Sequence, residues 1–257
     1  MAFAENMNVS FAICGTQKGG TSALDVYLRG HPNICMAEKK EVHFFDNEDA
    51  FRNDLPDYSQ YHSVFNPHSA SQILGEATPI YMYWRDAPQR MWQYNPDFKL
   101  IVLLRNPIER AYSHWNMKCA LGTETLSFGE AIQREAERCR EALPYQHRVY
   151  SYVDRGFYLE QLRRIWSFFP EEQVLVLKSD ELKCQPLETL QKVFEFVNVG
   201  PLNVIEPVNV HSRPYKSPMG SKVRQYLRSV FEPEIRGLER VLGWDCSSWL
   251  RRRARDV

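Results

Sequence analysis

The stretch Ser10 to Leu28, SFAICGTQKGGTSALDVYL, constrains this chain more than any other. Phe11–Ala12–Ile13–Cys14 is a continuous apolar run, the pattern of a strand buried on both faces. Gly15–Thr16–Gln17–Lys18–Gly19–Gly20 follows, a loop of three glycines and one cation. Thr21 and Ser22 then open a segment with Ala23, Leu24, Tyr27 and Leu28 at helical spacing. Strand, glycine loop and helix start together predict a phosphate cradle. Glycines let backbone N–H groups turn inward, and the free N–H groups and positive dipole end of the helix face the same point. An ordinary strand-to-helix turn is the plain alternative.

The loop departs from the nucleoside-triphosphate pattern G-x-x-x-x-G-K-[ST] at one position. Gly15 and Gly20 keep the spacing, but Thr21 stands where the lysine belongs, and the cation, Lys18, lies inside the loop. A lysine there sits beside the leaving end of a short anion chain. That suits a 5′-phosphate carrying one transferable group better than a triphosphate with its metal.

At 257 residues and 44% hydrophobic content the chain is long enough for one large core, so a single domain over 1–257 is expected. Lys+Arg and Asp+Glu both number 32, which argues against a general nucleic-acid binder. The six cysteines form no C-x-x-C pair, so no metal site is expected, and they read as reduced thiols of a cytoplasmic protein. The first ten residues lack the basic and apolar regions of a leader, and no apolar run has the length of a membrane span.

Further strands are predicted at 34–36, over 73–79 as a strand ending in a loop at Pro79, and at 99–104 and 174–177. Helices are predicted near 58–65 and over 87–94, 108–119, 128–140, 156–168, 187–196, 221–231 and 233–242. Alternating strand and helix predict an α/β fold: a P-loop-like, three-layer architecture with a mostly parallel central sheet flanked by helices. Arg105 follows the strongest strand, where ligands bind in open α/β sheets, and Ser113 lies two turns into the next helix. Together they read as a second phosphate site; an ion pair of Arg105 with Glu109 or another carboxylate is the alternative. Lys39–Lys40–Glu41–Val42–His43–Phe44–Phe45–Asp46 is either a solvated loop anchored by its two phenylalanines or an active-site segment in which Glu41 or His43 takes a proton. The loop over 209–218 carries Arg213 and Lys216 and reads as a lid over a nucleotide, with His211 a rival base. The aromatics at 58, 61, 81, 83 and 84 and the segment 120–152 are read as shaping an acceptor pocket, against the plainer reading of the aromatics as core.

Four separated stretches resemble one family, the sulfotransferases that use 3′-phosphoadenosine 5′-phosphosulfate (PAPS) and release 3′-phosphoadenosine 5′-phosphate (PAP). Gly15-Thr-Gln-Lys18-Gly-Gly-Thr21-Ser22 resembles their 5′-phosphosulfate loop. Leu103-Leu-Arg105-Asn-Pro-Ile-Glu-Arg-Ala-Tyr-Ser113 resembles their 3′-phosphate motif. Lys40-Glu41-Val-His43-Phe-Phe-Asp46 and Gly156-Phe-Tyr158 are similar to segments of heparan-sulfate-type members. The likeness runs over about residues 10–220. It implies that Lys18 binds the oxygen bridging phosphate and sulfate, and that Gly15, Thr16 and Gln17 belong to the same loop. Gly19, Gly20, Thr21 and Ser22 would hold the 5′-phosphate, and Arg105 and Ser113 the 3′-phosphate. Tyr158, Arg213 and Lys216 join the nucleotide site, and Glu41 is the general base with His43 beside it. It implies no metal, since a monoanionic sulfuryl group brings less charge than a γ-phosphate.

The chain departs from the heparan-type pattern at Ala77, where a lysine is common, and lacks their late disulfide pair. Both argue against a sulfated polysaccharide and for a bacterial, cytoplasmic enzyme with a small-molecule or carrier-bound hydroxyl acceptor, free or as a domain of a larger synthase. The competing functions are a P-loop kinase or nucleotide hydrolase, against which Thr21 argues, and a non-catalytic nucleotide-binding module, against which Lys18 and Glu41 together argue.

Overall fold

The computed structural model describes residues 8–52, 56–202, 215 and 218–251. The described chain forms five strands: β1 (Val9–Gly15), β2 (Ile34–Met36), β3 (Ile73–Ala77), β4 (Lys99–Leu104) and β5 (Val174–Lys178). Its helices are α1 (Thr21–Arg29), α2 (Tyr58–His62), α3 (Ala87–Tyr94), α4 (Pro107–Ala120), α5 (Phe128–Glu141), α6 (Tyr158–Trp166), α7 (Ser179–Cys184), α8 (Pro186–Phe196), α9 (Ser221–Leu242) and α10 (Ser247–Leu250).

Contacts gather these elements into two compact units. The first holds the described residues up to Leu104 and from Arg164 to Leu202. It contains one sheet in the order β2-β3-β1-β4-β5, with every pairing parallel. A parallel sheet needs cover on both faces, and the strand interiors meet that need: Phe11, Ala12, Ile13, Cys14 and 100–104 are all 0% exposed. One face packs Phe11, Ile13, Ile101, Leu103 and Leu177 against Leu24 and Leu28 of α1, Leu182 of α7 and Leu190, Val193 and Phe194 of α8. β1 is central, and its neighbours β3 and β4 are reached by chain segments running to opposite edges. The loop leaving β1 therefore opens at the point where strand order reverses, the position at which α/β sheets take ligands.

The second unit holds Arg105–Arg163 and the described residues from Tyr215 on. α4, α5, α9 and α10 lie wholly within it. Gly156 and Gly237 let α9 approach closely: a Cβ on Gly156 would sit 2.5 Å from the Phe231 ring, and one on Gly237 would collide with Leu159. The structure corrects one boundary here. The two helices expected either side of Pro233 are one helix, α9. Proline removes one helical hydrogen bond and crowds the preceding turn, but Leu227, Phe231, Ile235 and Leu238 form one stripe across it, each 0% exposed. Burying that stripe outweighs the proline. β5 runs straight into α7, whose first residue, Ser179, follows Lys178 in the chain.

Candidate active site

In the first unit the glycine loop is fixed at both ends. Thr16, 3% exposed, donates its N–H to the Leu103 carbonyl on β4 at 3.1 Å, and Gly19 N–H donates back to the Thr16 carbonyl at 2.8 Å. Gly19 is pressed so closely onto β4 that a Cβ would strike the Leu103 carbonyl oxygen. Gly20, at φ 99°, is the N-cap of α1 and has no side chain to bond the helix's first amides. Those amides lack intrahelical partners by the geometry of any α-helix, so the N–H groups of Thr21 and Ser22 are offered to whatever anion enters. Lys18, at φ 70°, and Gln17 are half-buried on the same loop. Beneath them Cys14 is buried, and desolvation pushes its thiol up to about 12, which makes it an inert core residue.

Glu41 and His43 also lie in the first unit. Glu41 N–H donates to the Ala77 carbonyl at the end of β3, 2.9 Å away. Its carboxylate accepts from Lys40 Nζ at 3.0 Å, and His43 Nε2 stands 3.6 Å from its other oxygen. His43 Nδ1 meets both oxygens of fully buried Asp46, at 3.0 and 3.1 Å. His43 and Lys40 hold the Glu41 carboxyl down to about 2, and Asp46 with Glu41 pushes the His43 imidazole up to about 9. At neutral pH this is an imidazolium between two carboxylates. Among the described residues four non-glycines have positive φ: Lys18, Glu41, His43 and Asn198. Three of those four are residues singled out by their chemistry, and left-handed backbone of this kind gathers at functional sites.

In the second unit Arg105 is the first residue after β4 in the chain. Asn106 caps α4, accepting from Ile108 N–H at 3.0 Å and donating to the Trp249 carbonyl at 3.0 Å, and Pro107 fits the first helical position. The Arg105 guanidinium reaches the Tyr215 hydroxyl at 3.4 Å. Tyr158 is fully buried, and its hydroxyl donates to the Arg105 carbonyl at 2.9 Å, so it supports the arginine from below. Ser113 is half-buried on α4. Glu109, considered above as a partner for Arg105, accepts from Arg224 at 2.6 Å. His211, Arg213 and Lys216 lie outside the described residues.

Sequence reasoning missed the polar base under Glu41. Asp46 and Glu76 are both 0% exposed, and Tyr61 and Tyr81 donate to Glu76. A signal was present, since two carboxylates flanked by apolar and aromatic residues are out of place in a core. The aromatics read as shaping an acceptor pocket are core instead: Tyr61, Tyr81, Tyr83 and Trp84 are at most 5% exposed, and only Tyr58 is half-buried.

The model of the sulfotransferase domain family matches residues 10–213. Human heparan sulfate glucosamine 3-O-sulfotransferase 5 is 31% identical over 193 residues, which are 74% of this chain and 53% of that one. The chain thus spans about half the length of the curated relatives it matches. The solved structure of a sulfotransferase from Alicyclobacillus acidocaldarius superposes with a TM-score of 0.80 at 29% identity, over 95% of this chain and 99% of that one. A mouse sulfotransferase, SULT7A1, solved with PAP, shares the fold at a TM-score of 0.56 and 13% identity, over 93% of this chain and 88% of that one.

Proposed function

The chain belongs to the sulfotransferase domain family, and from that premise we propose that it moves a sulfuryl group from PAPS to a hydroxyl acceptor. The observation that carries this reading is the uncapped start of α1 beside Lys18, a cradle whose glycine at 19 leaves no room for a side chain. That shape fits a 5′-phosphosulfate: Gly19, Gly20, Thr21 and Ser22 would take the phosphate, with Gly15, Thr16 and Gln17 forming the rest of the loop, and Lys18 the bridging oxygen. Arg105 would take the 3′-phosphate, with Ser113 beside it. Tyr158 acts through the Arg105 carbonyl, and Arg213 and Lys216 are assigned to the lid from the sequence and the family likeness. The family model takes in the first unit and the Arg105–Arg163 segment of the second, which supports reading these as one sulfotransferase domain.

PAPS supplies a sulfuryl group whose bond to the phosphate breaks as a new bond to the acceptor oxygen forms. Sulfuryl transfer, like phosphoryl transfer, passes through a loose transition state with charge gathering on the leaving oxygen. Lys18 and the α1 amides supply positive potential for that charge. Glu41 takes the acceptor's proton. His43 is protonated at neutral pH and so cannot accept one, whereas Glu41 is ionised. An acceptor hydroxyl that loosens the Glu41–His43 pairing would raise the basicity of Glu41 as the reaction needs.

For the acceptor we propose a small-molecule or carrier-bound hydroxyl rather than the sulfated polysaccharide of the relatives' names. The support is Ala77, 1% exposed and apolar beneath Glu41, where heparan-type members often carry a cation. All six cysteines are free thiols, which supports a cytoplasmic setting. Among the described residues no helix is long and apolar enough to cross a membrane.

Thermal unfolding in chelator with PAP, 5′-AMP and ATP tests the reading, since a bound ligand raises the melting point by mass action. PAP should give the largest shift. A shift with ATP that needs magnesium, and none with PAP, would overturn the proposal in favour of a kinase.

A further inference from the structure

Three hydroxyls converge on Glu76, a fully buried residue near the end of β3. Tyr61 and Tyr81 donate to its Oε1 at 2.7 and 3.2 Å, and Thr78 donates to Oε2 at 2.6 Å. The Tyr81 hydroxyl is used twice, for it also accepts the backbone N–H groups of Phe44 at 3.0 Å and Phe45 at 3.4 Å. A phenol has one proton. With that proton committed to the carboxylate, its lone pairs must face the two amides. The next residue is Asp46, which holds the His43 imidazole, which in turn faces Glu41. A second tie, Glu41 N–H to the Ala77 carbonyl, anchors the other end of the segment to the residue after Glu76.

We propose that Glu76 and Tyr81 are positioning residues that hold the Phe44–Asp46 backbone, and through it His43 and Glu41, in the geometry for proton removal. The inference rests on the reading of Glu41 as the base. Neither residue touches a reacting group. An apolar residue would pack in place of Glu76 without desolvating a carboxyl; here burial pushes that carboxyl up to about 7. What the carboxylate adds is a fixed direction for three hydroxyl protons. Phe44 and Phe45 do the complementary work of keeping water out. Phe44 stacks on Tyr61 with centroids 4.9 Å apart, and Phe45 meets Tyr81 edge-on at 5.5 Å.

The test reads His43 by NMR titration of its imidazole, with His43→Gln used to assign the resonance. Tyr81→Phe removes the hydroxyl and keeps the ring. Tyr61→Phe removes a hydroxyl that also bonds Glu76 but makes no bond to the Phe44 or Phe45 amides. In Tyr81→Phe the His43 pKa should fall from about 9 by about one unit or more toward its ordinary value as Asp46 loses its placement, while Tyr61→Phe leaves it in place. PAP affinity by calorimetry should stay within about twofold of wild type in both. Should Tyr81→Phe fail to fold, Glu76→Gln, which keeps the shape and removes the charge that orients Tyr81, carries the same expectation. An unmoved His43 titration, or an equal fall in Tyr61→Phe, would overturn the proposal. Wild-type protein that binds no PAP would instead remove the sulfotransferase reading and leave the histidine result standing.

Discussion

Gly19→Ala should disable nucleotide binding through one carbon atom. The added Cβ would meet the Leu103 carbonyl oxygen, and at 2.9 Å both the Thr16 carbonyl oxygen and Thr16 Cγ2. Two of these three atoms are backbone and belong to the hydrogen bonds that fix the loop, Thr16 N–H to Leu103 and Gly19 N–H to Thr16. No rotamer change can relieve the contact, so the loop must lift from β4. Overpacking of this kind costs about 1–3 kcal/mol, and weakening two hydrogen bonds adds about 1 kcal/mol. A loss near 3 kcal/mol corresponds to roughly 6–12 °C in melting point for a chain of this size. Each amide that no longer reaches a phosphate forfeits about 1.5–3 kcal/mol of a charge-assisted bond, or roughly ten- to a hundredfold in PAP affinity. Two other glycine substitutions calibrate the effect. Gly20→Ala meets only ordinary contacts, the nearest atom being Ser179 Oγ at 3.4 Å, but sits at φ 99°, so it should cost only the left-handed backbone term of about 1–2 kcal/mol. Gly200→Ala has no atom within 4 Å and should fall within about 0.5 kcal/mol of wild type. The assays are urea unfolding and calorimetric titration with PAP. If Gly19→Ala matches Gly200→Ala in both, the account of the loop as a backbone cradle braced on β4 is wrong.

Two further outcomes follow from the same geometry. Arg105→Ala should weaken PAP by about ten- to a hundredfold and leave 5′-AMP, which lacks the 3′-phosphate, unchanged in calorimetry; equal losses for both ligands would contradict the assignment. His43 has a folded pKa raised to about 9 from 6.5, so its contribution to stability is fully present below pH 6.5 and disappears as pH rises through about 9. The side chain is 43% exposed, and solvent screening reduces that contribution to about 1 kcal/mol. Urea unfolding at pH 6 and pH 9.5 should show wild type losing that much relative to His43→Gln, and parallel pH dependence would refute it.

The apolar runs at β4 and β5 and the glycine loop after β1 were legible in the sequence because each depends on its own few residues. Pro233 misled because a local rule met a long-range stripe: the burial of Leu227, Phe231, Ile235 and Leu238 is decided by neighbours far away in the chain. Glu76 and Asp46 went unread for the same reason. Apolar and aromatic flanks hinted that the two carboxylates were buried, but not which groups would meet them: Tyr61, which donates to Glu76, lies fifteen residues away in the chain. The bond from the Tyr158 hydroxyl to the Arg105 carbonyl was not legible, since it joins residues fifty-three apart. Lys18, Glu41 and His43 could be found from charge and spacing; their left-handed backbone could not, since side-chain type alone argues for ordinary φ at all three.

That last feature sets selection for heat resistance against selection for turnover. At φ 70°, 62° and 58°, Lys18, Glu41 and His43 occupy backbone that glycine or asparagine adopts more easily. A library of variants sorted by survival at high temperature alone would drift toward those two residues at these positions. The lysine, carboxylate and imidazole proposed for the reaction would be among the first side chains discarded, and the survivors would be sturdier proteins with an empty chemistry.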